Sequence, residues 1–120
     1  MAQLAEDHLG RLDDVFTPAE LAYCAGKRRR AEHLAARFAA KEAVLKAIGT
    51  GLRRRMLWTD VEVVRERGGR PTVQLRGEVA EVARKRGIGR IEVSLSHTSA
   101  IAVAGAVAVS GGGAAACAST

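Results

Sequence analysis

Aromatic side chains are scarce, with one Trp, one Tyr and two Phe in 120 residues. A core therefore has to be assembled from Ala, Val, Leu and Ile. A nucleic-acid surface built on interleaved aromatics is disfavoured too, since Trp58 is the one obvious stacking candidate. The two cysteines, Cys24 and Cys117, have no metal-type spacing and suggest no disulfide framework, so a reduced, cytoplasmic setting is expected. The apolar run Ile101–Val109 is too short to span a membrane. Residues Met1–Asp7 have neither the basic region nor the apolar run of a signal peptide, and Cys117–Thr120 match a prenylation box only in the place of the cysteine. There is no internal repeat and no Ser–His–Asp arrangement. What is abundant is positive charge: 19 Lys and Arg against 13 Asp and Glu, a net +6. That excess suits an anionic partner, whether nucleic acid, a phosphate-rich ligand or an acidic protein. The length suits one domain with a modest core.

The chain is organised around Arg37–Gly51, the second half of a helix expected to begin near Arg28 and to stop at Gly49 as its C-terminal cap. Ala31, Leu34, Ala35, Phe38 and Leu45 recur at helical spacing. At about 100° per residue, Glu42 points along the middle of that apolar stripe, with Lys46 one turn further on nearly the same side. An ionised carboxylate in a buried stripe is costly unless a cation or a donor meets it. Two arrangements would satisfy Glu42. One is an ordinary i,i+4 pair with Lys46, worth a few tenths of a kcal/mol. The other is a metal ion on Glu42, with Lys46 meeting an anion beside it.

In chain order, Leu4, Leu9, Leu12 and Val15 allow a short helix interrupted by Gly10. Thr17-Pro18-Ala19-Glu20 is a helix start: Thr17 caps, Pro18 takes the first helical position and Glu20 bonds back in a capping box. Lys27–Arg30 then opens the long helix against the macrodipole, at a local cost of up to about 1 kcal/mol. This cluster is either a solvated face or an anionic docking surface. Arg53–Arg55 follow the helix in a loop. Leu57, Thr59, Val61 and Val63 alternate with Trp58, Asp60 and Glu62 as in a strand. Glu66–Arg70 turns, and Pro71–Leu75 returns with proline at its start. Val79, Val82 and Ala83 mark a small helix stopped by Gly87. Ile91, Val93, Leu95 and His97 share one face of a further strand. The final strand carries Ile101, Val103, Val107 and Val109 on one face and Ala102, Ala104, Ala106 and Ala108 on the other, a pattern expected to be buried on both sides. From Ser110 the composition turns to Gly, Ala and Ser, read as a disordered tail over 110–120 behind a domain of residues 1–109. The fold class is α+β, an antiparallel sheet with one long helix packed on it. His97 ends an apolar strand face, either as a core histidine or, beside Ser94, Ser96 and Thr98, as part of a site at the sheet edge.

Arg37-Phe38-Ala39-Ala40-Lys41-Glu42-Ala43 with Lys46 and Gly49-Thr50-Gly51 closely resembles the signature of the holo-acyl-carrier-protein synthases, the small phosphopantetheinyl transferases. Val15–Leu21 resembles their early helix start, Trp58–Val63 with Gly69-Arg70-Pro71 their hairpin, and Val93–Thr98 their last motif. The match runs in order over residues 9 to 109. The resemblance implies Mg²⁺-dependent transfer of the 4′-phosphopantetheine arm of coenzyme A to a serine of an acyl carrier protein of fatty-acid or polyketide synthesis, releasing 3′,5′-ADP. It implies Glu42 as metal ligand and Lys46 at the phosphates, the two catalytic residues. It implies Arg37, Lys46, Gly49 and His97 as coenzyme A contacts, in a homotrimer with each site at a subunit boundary. The attacking serine belongs to the partner, which accounts for the lack of a serine nucleophile here.

The family opens with a strand of Gly-x-Asp type whose aspartate is a second metal ligand. This chain reads directly into a helical pattern, with Glu6 and Asp7 inside it and Arg11 alone between Leu9 and Val15, where the family's helix carries several arginines for the carrier protein. The N-terminal strand of the family is therefore expected to be missing, leaving one metal ligand short, weak coenzyme A binding, and slow or no transfer. A late start codon, a second chain supplying the strand, or a member kept for another purpose would each account for this. The alternative function is a non-catalytic carrier-protein-binding or assembly subunit.

Overall fold

The computed structural model of the chain describes residues 12–53, 55–66, 68–98 and 100–110, and the backbone of 115–119. The helical pattern at Leu4 and Leu9, with Glu6, Asp7 and Arg11, lies outside the described residues, as does Arg54. The described elements are helices α1 (Leu12–Val15), α2 (Pro18–Ala25) and α3 (Arg30–Ile48), a 3-10 turn at Trp58–Asp60, strands β1 (Val61–Arg65) and β2 (Pro71–Leu75), helix α4 (Gly77–Lys85), and strands β3 (Ile88–His97), β4 (Ala102–Ser110) and β5 (Ala115–Ser119).

Among the described residues all strand pairs are antiparallel and α3 is the one long helix, as the sequence implies. The sheet, however, is divided into a β1–β2 ribbon and a three-stranded β3–β4–β5 sheet. The disordered-tail expectation is corrected for Ala115–Ser119, which pairs with β4 from Val109↔Ala115 to Gly105↔Ser119. A strand edge left open carries unpaired N–H and C=O groups. A small-residue segment can satisfy them whatever its composition suggests. Residues 111–114 and Thr120 lie outside the description.

The strand expected over Leu57–Val63 begins only at Val61. Leu57 N–H donates to Asp60 Oδ2 at 3.1 Å, and Asp60 N–H donates to the Leu57 carbonyl at 2.9 Å. These local bonds close a turn and override the alternating pattern.

The register of β3 on β4 sets the helix-facing side of the larger sheet. Ile91 lies opposite Ala108, Val93 opposite Ala106 and Leu95 opposite Ala104. These residues pack on Ala39, Ala40, Ala43, Val44 and Ala47 of α3. Small residues on both sides let the helix lie close to the sheet, which is how a core with few aromatics is filled. The opposite face of β4 is not buried as expected. It shares its side with Arg90, Glu92, Ser94 and Ser96, and Val103 and the neighbouring Ile101 are exposed at 46% and 61%.

The capping box at the start of α2 is present in full. Glu20 N–H donates to Thr17 Oγ1 at 3.2 Å, and Thr17 N–H donates to Glu20 Oε1 at 2.9 Å, with Pro18 in the first turn. A second small cluster of Leu12, Val15, Phe16, Cys24, Leu34 and Phe38 ties α1 and α2 to the first half of α3. Gly49 caps α3 with φ +94°, its N–H donating to the Leu45 and Lys46 carbonyls at 3.1 and 2.9 Å. That left-handed conformation favours glycine.

Candidate active site

The long helix is not a simple amphipath. Its middle is wrapped by the large sheet on one side and by α2 and β1 on the other, so charged residues are buried with apolar ones. Lys41 is fully buried, and its ammonium lies 2.8 Å from Glu20 Oε1. Nζ also donates to the Trp58 carbonyl at 3.0 Å and to the Val61 carbonyl. The three donors of the ammonium thus meet three acceptors. Burial pulls the Lys41 pKa below its ordinary 10.5, and Glu20 opposes that pull. Glu20 Oε2 accepts from Val63 N–H at 2.8 Å. The Thr17 hydroxyl donates to Glu62, whose other oxygen takes Arg76 at 2.8 Å. Burial pushes Glu62 up, but Thr17 and Arg76 outweigh it and hold the carboxyl below its ordinary value. The sequence reading missed the Lys41–Glu20 pair. Its signal was available: Lys41 lies seven residues after Leu34 and three after Phe38, on the same helical face.

Glu42 corrects the expected picture in one respect. It stands at the margin of the buried surface rather than in its middle, because its neighbour Lys41 takes the interior direction. One carboxylate oxygen, Oε1, is nonetheless buried and has no hydrogen-bond partner among the described residues. Burial pushes the Glu42 carboxyl above its ordinary value, and Lys46 partly offsets this. Glu42 and the exposed Lys46 line one open cavity of ≈ 220 Å³ together with Leu45, Thr50, Gly51, Leu52 and Trp58. Trp58 packs on Phe38 with ring centroids 4.7 Å apart, so it serves as a wall rather than as a free stacking surface. Gly49 turns the chain that brings Thr50 and Gly51 to this rim. Arg86 Nη1 donates to the Ile48 carbonyl at 2.7 Å, and a Cβ built on Gly49 would lie 2.6 Å from that same nitrogen.

Arg37 and His97 do not line this cavity. Arg37 is buried, its guanidinium 4.2 Å from the Tyr23 ring centroid and its Nε without a partner among the described residues. Tyr23 meets the His33 ring edge-on at 6.3 Å, and His33 meets His97 edge-on at 4.9 Å. His97 lies opposite Ala102 on the helix-facing side of the sheet, where its Nδ1 is 3.2 Å from Glu32 Oε1. Within one chain the expected site residues therefore form two groups. Glu42, Lys46 and the loop after Gly49 make the first, and Arg37 and His97 bridged by Tyr23 and His33 make the second. Tyr23, Glu32 and His33 carried no signal of their own in the sequence.

A hard cation takes oxygen ligands, and the carboxylate of Glu42, which lines the cavity and has one oxygen without a partner among the described residues, is a fitting one. Among the described residues there is no group of three or more His, Cys, Asp or Glu placed to hold a metal.

The chain is similar to known proteins over most of its length. The family model described as the 4′-phosphopantetheinyl transferase superfamily matches residues 2–104. A holo-[acyl-carrier-protein] synthase of Moorella thermoacetica is 55% identical over 97 residues, covering 81% of this chain and 75% of the relative. The crystal structure of the synthase from Neisseria meningitidis superposes with a TM-score of 0.76 at 29% identity, covering 88% of this chain and 86% of that one. A Bacillus anthracis synthase solved in complex with CoA (3′,5′-ADP) superposes with a TM-score of 0.70 at 30% identity, covering 89% and 86%. With the family model spanning most of the chain and a relative identical at more than half of the aligned positions, the chain belongs to the holo-acyl-carrier-protein synthase family of 4′-phosphopantetheinyl transferases.

Proposed function

We propose that this chain transfers the 4′-phosphopantetheine group of coenzyme A to a serine hydroxyl of an acyl carrier protein. The observation that carries this reading is the Glu42–Lys46 cavity, lined by the exposed Lys46 and by a carboxylate of which one oxygen has no hydrogen-bond partner among the described residues. The serine oxygen bonds to the phosphorus bearing the pantetheine arm. The pyrophosphate P–O bond breaks, 3′,5′-ADP leaves with the electron pair, and the serine proton passes to solvent. Lys46 binds the anionic phosphates and stabilises the charge that develops on the leaving group, as phosphoryl transfer requires. Glu42 would hold a Mg²⁺ ion, which would supply Lewis-acid neutralisation of the pyrophosphate. Leu45, Leu52 and Trp58 form the apolar part of the same cavity.

The remaining parts of the reading concern setting and assembly. The net charge of +6 suits an acidic carrier protein of fatty-acid or polyketide synthesis. The chain works in the cytoplasm as a homotrimer. The half-open valine face of β4, with Val103 and Ile101 exposed, supports association. The decisive assay incubates the chain with apo carrier protein and coenzyme A, with and without Mg²⁺, and follows the mass of the carrier. A Mg²⁺-dependent mass gain is expected. A carrier that binds but never gains mass would establish the non-catalytic carrier-binding subunit instead.

A further inference from the structure

His97 is held from two sides by the start of α3. Its Nδ1 lies 3.2 Å from Glu32 Oε1. A carboxylate oxygen can only accept, so Nδ1 carries the hydrogen. The His33 ring meets the imidazole edge-on at 4.9 Å and limits its rotation. The side chains of His97 and Glu32 keep 23% and 13% of their exposure. This is therefore not one of the solvated surface pairs that contribute little. Glu32 Oε2 is itself steadied by Arg29 at 3.6 Å. Among the described residues no hydrogen bond engages His97 Nε2.

We propose that Glu32 is a positioning residue for His97, turning the imidazole so that Nε2 is the nitrogen offered to an anionic phosphate of the coenzyme A nucleotide. This role rests on the proposed transferase function and on His97 being a coenzyme A contact, as the family resemblance implies. With a carboxylate at Nδ1 and a phosphate at Nε2, the species that satisfies both sides is the imidazolium, which has an N–H on each nitrogen. A phosphate at Nε2 therefore favours a second proton on the ring beyond the one at Nδ1. The other charged and titratable groups around the two rings are His33 and Arg37 of α3, Lys27 and Arg29 before it, and Arg65 of β1. Glu32 is the carboxylate in contact with His97 among the described residues. It thus supplies both the orientation and the counter-charge.

The test is calorimetry of 3′,5′-ADP binding to the full chain from about pH 6 to pH 8.5, in two buffers of different ionisation enthalpy, which together report protons taken up. The wild type is expected to bind more weakly as pH rises and to take up a proton above neutrality. Glu32→Gln keeps an acceptor but no charge, and is expected to bind about tenfold more weakly above pH 7 with the uptake reduced. Glu32→Asp is expected to restore part of both, which loss of packing alone would not predict. His97→Ala is expected to bind weakly with no uptake from this site. Wild-type affinity and uptake in Glu32→Gln, with both lost in His97→Ala, would overturn the role of Glu32 and leave His97 in place as a contact. Wild-type binding in His97→Ala would overturn both. Should Glu32→Gln lose the wild-type circular dichroism, ring ¹⁵N spectra of the unsubstituted protein decide. A neutral Nδ1–H tautomer supports the proposal, and a neutral Nε2–H tautomer overturns it.

Discussion

Lys41 and Glu20 form a buried ion pair, 2.8 Å apart with both side chains closed to solvent, and the same Glu20 caps the helix that carries it. One carboxylate thus joins α2 to α3 and, through Val63, to β1. Its geometry is saturated on the lysine side, so its removal leaves a charge rather than a gap.

Lys41→Met should therefore destabilise the fold by about 3–5 kcal/mol, because Glu20 stays buried and loses its cation. Lys41→Met combined with Glu20→Gln should recover part of that loss, since no net charge remains inside. Urea denaturation of the two variants checks this. A cost for Lys41→Met below about 1 kcal/mol would show the pair to be solvated.

Glu42→Gln should lower Mg²⁺-dependent transfer by at least about 10²-fold without unfolding the chain. Transfer at the wild-type rate would remove Glu42 from the site, and a collapsed melting transition would make it a structural residue instead.

Two carboxylates titrate in opposite senses. Glu42 is raised above its ordinary 4.5 by burial. Its ionised form therefore weakens the fold, with the cost appearing as pH rises from 4.5 to the raised value and persisting above it. Glu62 is held below 4.5 despite burial, by Thr17 and Arg76. Its contribution is present above 4.5 and is lost as pH falls through the lowered value. Glu42→Gln should accordingly raise the Tm at pH 7 relative to pH 4, and Glu62→Gln should lower it. Parallel pH–Tm curves for wild type and both variants would contradict this.

Lys46→Ala should weaken coenzyme A binding by about ten- to a hundredfold at low salt, with the gap to wild type narrowing at high salt because an exposed charge is screened. Titrations at two ionic strengths test this, and a salt-independent difference would point to lost packing.

Gly49→Ala should cost about 1–2 kcal/mol, since the left-handed conformation is unfavourable for a residue with a Cβ. The added carbon also crowds Arg86, which must swing off the Ile48 carbonyl. Combining the substitution with Arg86→Ala separates the two contributions: strain in the backbone alone would leave the loss unchanged by the arginine.

Much of this protein is written in local patterns. The capping box at Thr17–Glu20, the stop of the long helix at Gly49, the turn before Pro71 and the alternation through Ile91–His97 each depend on neighbours within a few residues, so they are legible from order alone. So is the family signature around Glu42 and Lys46. The tertiary structure decided what depends on distant chain. The open edge of β4 drew in Ala115–Ser119, whose composition carries no such instruction. Lys41 went inside because Glu20 and two carbonyls from beyond residue 57 wait for it there. Glu42 was left lining the cavity with one oxygen unpartnered among the described residues, and His97 was set against Glu32. Periodicity reports which side of a helix a residue is on; the polar groups facing it from other elements decide whether its charge is neutralised, oriented or left free for a ligand.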